Sequence, residues 1–476
     1  MALFSSNERT TLERTVDIKR KCHSISSDID FYYEIDRCEK WIREHGICKI
    51  CLQFPDDLLH CSVEVALRLE KRLGIQTYIL GDTSYGSCCV DIVAAQHVNA
   101  DGIIHFGHAC LSSVNGLPVL YIFEKFSIDI FHVVSQFRKF FKERDKKILL
   151  FYDVDYHHAI GEVVESLSPD FPNLIVPVLA SCSASDSIQN QFNILGRSFT
   201  LPENATLEVY SIAYIGKDGR TLSNVALTFA GESLYVYDPS ETQKFEEYKV
   251  RDSKFLMKRF HLVERVKDAQ TLGILVGTLG ICNYLEAVSR IKQLAKRCGK
   301  KCYIVAIGKP NVEKLANFPE IEVFVLVACS ENSLLDSKEY YQPIVTPYEV
   351  ELACNENRTW SEKYVLEFQN LQSEGPDYQE ISDIVKNDIA DVSLVTGRVR
   401  MNVASEHSES EISSQAVAMR SDGTVSTLAT GSLFFTERSW QGLKPNLGQN
   451  EVVMATRGRS GIPSQYDTDH DTMDKS

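Results

Sequence analysis

Short apolar runs alternate with amphipathic stretches along the chain as far as about Leu366. The first runs are Ile47–Phe54, Thr77–Leu80, Gly102–Phe106 and Leu117–Phe123. A second group lies at Lys147–Tyr152, Leu174–Val178, Leu207–Gly216 and Leu234–Tyr237. A third lies at Leu272–Val276, Cys302–Ile307, Val323–Val327 and Pro343–Val345. Runs this short, rich in β-branched and aromatic residues, read as strands. Between them Val63, Ala66, Leu67, Leu69 and Leu73 mark one broad helical face, and Val90, Val93, Ala94 and Val98 mark another.

Strands alternating with helices mean βα units and a mostly parallel sheet. Four strands recurring three times, at a period of about 110 residues, predict an α/β protein of three similar small domains, each with a four-stranded sheet. The boundaries fall at 1–140, which includes an N-terminal arm, 141–265 and 266–370. Residues 371–476 form a C-terminal extension; Gln372–Thr430 is acidic and Ser-rich in places and reads as poorly ordered. Farther on, Phe434, Phe435, Trp440 and Leu443 with Arg457-Gly458-Arg459 would dock on the body, contact a partner, or anchor a solvated tail.

Composition narrows the class. A chain of 476 residues is too long for one core, and 44% apolar content is ordinary for a soluble globular protein. A net charge of -15 argues against broad contact with nucleic acid backbone. Met1–Lys21 is polar and mixed in charge without an apolar h-region, and no membrane span is present, so the expectation is a cytoplasmic protein. Its 14 irregularly spaced cysteines then read as thiols rather than as a disulfide framework.

Some of those thiols lie where α/β sheets hold chemistry, just beyond strand ends. Cys88 and Cys89 follow the second strand, Cys110 the third, and Cys329 the run Val323–Val327. If these ends converge, three thiolates face one point and suit a soft metal site, including a cubane iron-sulfur cluster with one iron open. Buried cysteines are equally ordinary as core residues. His97, His105 and His108 beside Cys110 raise zinc as a further candidate, although adjacent Cys88 and Cys89 do not have the usual spacing of paired zinc ligands. His157-His158, after Asp153 and Asp155, read as solvent-facing loop residues. Gly273, Gly277 and Gly280 fit neither a dinucleotide fingerprint nor a phosphate loop; they suit close approach of a ligand or tight-turn packing. There is no Gly-x-Ser-x-Gly elbow and no His-Glu-x-x-His helix, and a nucleophilic Cys88 beside Asp91 explains less than a metal site does.

Gly81-Asp82-Thr83-Ser84-Tyr85-Gly86-Ser87-Cys88-Cys89-Val90-Asp91, His105-Phe106-Gly107-His108-Ala109-Cys110-Leu111 and Tyr235-Val236-Tyr237-Asp238-Pro239 resemble the diphthamide synthesis family. The resemblance is closest to its eukaryotic subunit 2 branch, and covers roughly residues 30–360 plus Arg438-Ser439-Trp440. It implies a pseudo-threefold body around a [4Fe-4S] cluster held by one cysteine per domain. It also implies cleavage of S-adenosylmethionine to a 3-amino-3-carboxypropyl radical that attacks a histidine of elongation factor 2. The eukaryotic enzyme is a heterodimer whose subunit 1 is expected to be catalytic.

This sequence departs from the catalytic pattern at Ile194-Leu195-Gly196-Arg197-Ser198, where Arg197 stands in place of the middle-domain cysteine. Cys182 is nearby but belongs to another loop. The expected ligands are Cys88 and Cys329, with Cys110 or Cys89 completing the set. Cys110 is favoured because its strand end should neighbour that of Cys88, and Cys89 should face away if Cys88 faces in. The reading is an accessory subunit that relays electrons from a reductant protein to catalytic subunit 1, with no catalytic residue of its own. Alternatives are a cofactor-free or zinc-stabilised structural partner and, last, a separate small-molecule transferase.

Overall fold

The computed structural model describes residues 29–81, 86–179, 191–202, 205–248, 254–335, 339–361, 363–381, 391–395, 397 and 399–400, and short strands at 417–419, 425–427, 461–462 and 465–466. Cys22, Cys182, Phe434, Phe435, Arg438-Ser439-Trp440, Leu443 and Arg457-Gly458-Arg459 lie outside the described residues, as do Asp82–Tyr85 of the first motif. The chain forms two compact units, Met1–Ser408 and Glu409–Ser476. Described in the second unit are two antiparallel pairs, Val417–Met419 with Val425–Thr427 and Gly461–Ile462 with Gln465–Tyr466.

The first unit is an α/β fold with several mostly parallel sheets. Strands β1 (Lys49–Gln53), β2 (Gln76–Leu80), β3 (Gly102–Phe106) and β4 (Val119–Ile122) make a four-stranded parallel sheet in the order β2-β1-β3-β4. The middle part contains β5 (Ile148–Tyr152), β6 (Leu174–Ile175), β7 (Val178–Leu179), β8 (Gln191–Ile194), β9 (Arg197–Thr200), β10 (Ser211–Ile215), β11 (Leu234–Tyr237) and β12 (Phe245–Tyr248). Last come β13 (Thr271–Val276), β14 (Lys301–Ala306), β15 (Val323–Val327) and β16 (Ile344–Val345), parallel throughout in the order β14-β13-β15-β16.

These strands were visible as continuous apolar runs because a parallel sheet is covered on both faces. Every residue of β3, β5, β13 and β15 is buried, whereas the edge strands β2 and β14 are partly open. The middle part departs from the four-strand expectation. Its sheet has five strands, β12-β11-β10-β5-β6, with β12 antiparallel, and a separate three-stranded sheet, β7-β9-β8, is inserted. The run Leu174–Val178 divides between the two sheets around Pro177, which has no N–H for a ladder. Only the second half of Leu207–Gly216 is a strand, since Leu207–Val209 forms a 3-10 turn.

Helices α1 (Ser62–Leu73), α2 (Ile92–His97), α3 (Arg220–Thr228), α4 (Lys254–Asp268), α5 (Tyr284–Arg297) and α6 (Pro347–Cys354) join and cover the sheets. The inward face of α1 is Val65, Ala66 and Leu69, while Val63 and Leu67 are exposed, so its apolar stripe is narrower than expected. It stops at Gly74, whose φ of 67° is left-handed and whose N–H donates to the Glu70 carbonyl. On α2 the buried positions are Ile92 and Ala95; of the expected face, Val90 just before the helix is buried, while Val93, Ala94 and Val98 are half-buried. Helix α6 starts on a capping box, with the Glu349 carboxylate accepting from the Thr346 backbone N–H at 2.8 Å.

Candidate metal centre

Four buried cysteines meet at one point. The Sγ atoms of Cys88, Cys89, Cys110 and Cys329 all lie within 4.8 Å of one another. Cys88 and Cys329 are 3.9 Å apart, as are Cys89 and Cys110. The site joins the first sheet to the last, because these side chains pack in one core with Val276, Val325 and Val327.

The local fold explains the convergence, and differs from expectation in two ways. The strand ends before Cys88 and Cys110 are not neighbours: β1 lies between β2 and β3. The loops themselves cross over, and the Cys110 N–H donates to the Cys88 carbonyl at 3.0 Å. Gln53, the last residue of β1, supports the crossing from beneath. Its amide donates to the Cys89 carbonyl at 2.7 Å and its oxygen accepts from the Asp91 N–H at 2.9 Å. Cys89, expected to face away from Cys88, faces in with it. Alternation of direction belongs to extended strands, and this segment is a turn closed by a hydrogen bond from the Cys89 N–H to the Gly86 carbonyl.

Asn332 is a second residue that sequence spacing could not find. Its amide donates to Cys88 Sγ at 3.4 Å and lies 3.8 Å from Cys89 Sγ, while Arg220 donates to its oxygen at 2.9 Å. A Cβ on Gly86 would sit 2.0 Å from that amide nitrogen, so a side chain there would push the Asn332 amide aside. The turn after β15 is fixed by the Asn332 and Ser333 N–H groups, which both donate to the Cys329 carbonyl.

Electrostatically the four thiols act as one group. Hydrogen bonds from Cys329, Cys88 and Cys89 hold the Cys110 pKa well below its ordinary value. That thiolate pushes Cys88 and Cys89 well up, and raises Cys329 too. One negative charge is therefore accommodated easily and further ionisation needs a cation. Four soft, buried sulfurs suit thiophilic metal, either a single zinc ion or an iron-sulfur cluster.

Arg197 is buried, and its guanidinium donates to the Leu195 and Tyr152 carbonyls at 2.9 and 3.1 Å. It starts β9 after a two-residue turn in which Leu195 and Gly196 have φ of 53° and 67°. A Cβ on Gly196 would approach Leu111 Cβ to 2.4 Å, so the turn abuts the segment after Cys110 but presents an arginine there.

The histidines do not join the thiols. His105 is buried and bonds the His108 carbonyl through Nε2 at 3.1 Å. His97 ends α2 and is exposed. His108 turns toward Glu331, Asp153 and Asp155. Burial opposes its protonation, but the neighbouring carboxylates, Glu331 foremost, outweigh that and raise its pKa well above the ordinary value. His157 and His158 are exposed as expected, but they open a helix, His157–Leu167, rather than lying in a loop; Asp155 is buried, and burial followed by the charge of Asp153 raises its pKa to about 7. Gly277 and Gly280 serve packing: their Cβ atoms would lie 3.0 Å from Leu326 Cδ1 and 2.9 Å from the Val90 carbonyl oxygen.

A strand-end thiol centre on an α/β body of this kind defines a class. The model of the family described as "Putative diphthamide synthesis protein" matches residues 54–365, and the chain belongs to that family. It is 41% identical over 483 residues to 2-(3-amino-3-carboxypropyl)histidine synthase subunit 2 of Danio rerio, across 98% of this chain and 97% of the relative. The human subunit 2 is 32% identical over 486 residues, across 98% and 99%. Among solved structures, Dph2 from Pyrococcus horikoshii with a 4Fe-4S cluster superposes with a TM-score of 0.54 at 21% identity, over 70% of this chain and 94% of the other. No helix among the described residues is long and apolar enough to cross a membrane.

Proposed function

We propose that this chain is the accessory, electron-relay iron-sulfur subunit of a cytoplasmic heterodimer. With catalytic subunit 1 it serves the transfer of a 3-amino-3-carboxypropyl group from S-adenosylmethionine to a histidine of elongation factor 2. The observation that carries this reading is the four-thiol centre, in which Cys88 and Cys89 both face inward while Arg197, at the start of β9, stands just after the hairpin turn. Cys88, Cys89, Cys110 and Cys329 would hold a [4Fe-4S] cluster, as the Pyrococcus protein of like fold holds one. Bound there, the cluster supplies one-electron transfer at a potential set by burial and by hydrogen bonds to sulfur. With four thiols for four irons, none is left open to a sulfonium substrate, so catalysis falls to the partner.

The chain's own residues support that role. Asn332 donates to sulfur and favours the more negative, reduced state, and Arg220 orients Asn332. The packed valines around Cys329 cover the centre on the side of the last sheet. We read the three sheets as a pseudo-threefold body with parts at 1–140, 141–265 and 266–370.

One observation favours a second reading. The 3.9 Å sulfur separations approach the edge of about 3.8 Å that a tetrahedral site with zinc–sulfur bonds of about 2.3 Å would have. A cubane spaces its ligands more widely, so the side chains would spread to receive it. Isolation without oxygen separates the two: brown protein with equal iron and sulfide supports the cluster, and colourless protein with zinc supports the scaffold. The reduced chain alone is expected to form no product from labelled S-adenosylmethionine, whereas its complex with subunit 1 does. Robust turnover by this chain alone would overturn the accessory role.

A further inference from the structure

A second group of ligating side chains lies close to the thiols but is separate from them. His108, Asp153 and Asp155 bring Nδ1 and two carboxylate oxygens within 4.8 Å of one another. Nδ1 is 3.5 Å from Asp153 Oδ1 and 4.0 Å from Asp155 Oδ1. Both separations are too long for good hydrogen bonds, and neither oxygen has a hydrogen-bond partner among the described residues although both are inaccessible to solvent. Asp155 as a residue is only 9% exposed. Among the described residues, the only cationic group the two oxygens face at ion-pair distance is the His108 ring, without a hydrogen bond, so a metal ion held between the ring nitrogen and both carboxylates would satisfy them more closely.

The orientation of His108 specifies which kind. Its Nε2 lies 2.9 and 3.0 Å from the two oxygens of Glu331, itself buried and hydrogen bonded by the Thr221 hydroxyl at 3.2 Å. With the Nε2 proton donated to Glu331, an incoming metal ion that displaces the Nδ1 proton meets the Nδ1 lone pair on the side of Asp153 and Asp155. This is the arrangement by which a carboxylate orients a metal-binding imidazole. His108, Asp153 and Glu331 also line a cavity of about 370 Å³ shared with Cys88 and Gly86, which supplies an entry path and room for water ligands.

We propose that His108 Nδ1, Asp153 and Asp155 form a binding site for a divalent transition-metal ion, with Glu331 as the orienting residue, in the wall of the cavity that reaches Cys88. One nitrogen and two carboxylates suit manganese, iron(II) or zinc. The site does not depend on what the thiols hold. An ion there would neutralise the carboxylates on that wall of a cavity that also carries Arg220 and Lys309, so the cavity would present a metal beside two cationic side chains to whatever enters.

Manganese(II) is the discriminating probe, because it prefers oxygen and imidazole and binds weakly where soft thiolates prevail. Full-length protein with its thiol centre loaded is titrated and bound manganese read by electron paramagnetic resonance. One ion per chain is expected. His108→Ala and Asp155→Asn should each weaken its binding at least tenfold and Glu331→Gln on the order of tenfold, while Cys38→Ser changes nothing. Hyperfine coupling to a histidine nitrogen is expected in the wild-type spectrum, a readout that needs no variant to fold. Absence of bound manganese at millimolar concentration, absence of that coupling, or unchanged binding in folded His108→Ala and Asp155→Asn proteins would each overturn the site.

Discussion

Cys329→Ser protein purified without oxygen is expected to lose most of its iron and sulfide, and Cys88→Ser and Cys110→Ser the same. Each replacement removes a sulfur from a group in which all four lie within 4.8 Å, and no fifth thiol belongs to that group among the described residues. Serine is a far poorer ligand for iron that prefers thiolate. Cys89→Ser belongs with these variants, since its sulfur is 3.9 Å from that of Cys110. Cys38→Ser is the contrasting case. Cys38 is equally buried, but its thiol donates to the Tyr33 carbonyl at 3.6 Å in a different core, so iron should be retained. Asn332→Ala should fall between, weakening retention on the order of tenfold, because it removes a donor to the ligands rather than a ligand. Metal analysis of the purified set decides the matter; equal iron in Cys329→Ser and Cys38→Ser would refute the ligand assignment.

The largest expected effect on stability lies away from the thiols, at the Arg259–Glu349 pair between α4 and α6. Both side chains are fully buried, and the guanidinium meets the carboxylate at 2.5 and 2.7 Å. Glu349 also accepts the Thr346 N–H, so it closes a helix cap and an ion pair together. Removing one partner strands a buried charge. Glu349→Ala is therefore expected to destabilise the protein by ~3–5 kcal/mol. Replacing both partners, as Arg259→Met with Glu349→Leu, should restore much of that loss, since a buried pair often contributes little beyond an apolar substitute. Thermal unfolding of Arg259→Met, Glu349→Leu and the double variant gives the coupling. A Glu349→Ala midpoint equal to wild type would contradict it.

The α/β pattern was legible because strands buried on both faces leave uninterrupted apolar runs, as at Val323–Val327. The strand-end rule likewise led to Cys88, Cys110 and Cys329 without any view of the fold. What remained hidden had local causes. The direction of Cys89 depends on a turn, where strand alternation does not apply. Gln53 and Asn332 act through side-chain hydrogen bonds to residues far away in sequence, which leave no spacing to read. Asp155 sits in a polar stretch whose burial arises from tertiary packing, and the order β2-β1-β3-β4 is likewise set by pairings that no single run reveals.

The relay role is tested most directly by the heterodimer of subunit 1 with the Cys329→Ser form of this chain, assayed with two reductants. A relay predicts that the complex assembles in normal yield and fails with a protein reductant. It should recover substantially with dithionite, which is small enough to reach the partner directly. Undiminished activity with the protein reductant, or a complex that fails to assemble and that dithionite does not rescue, would contradict a relay and favour a structural role for the metal.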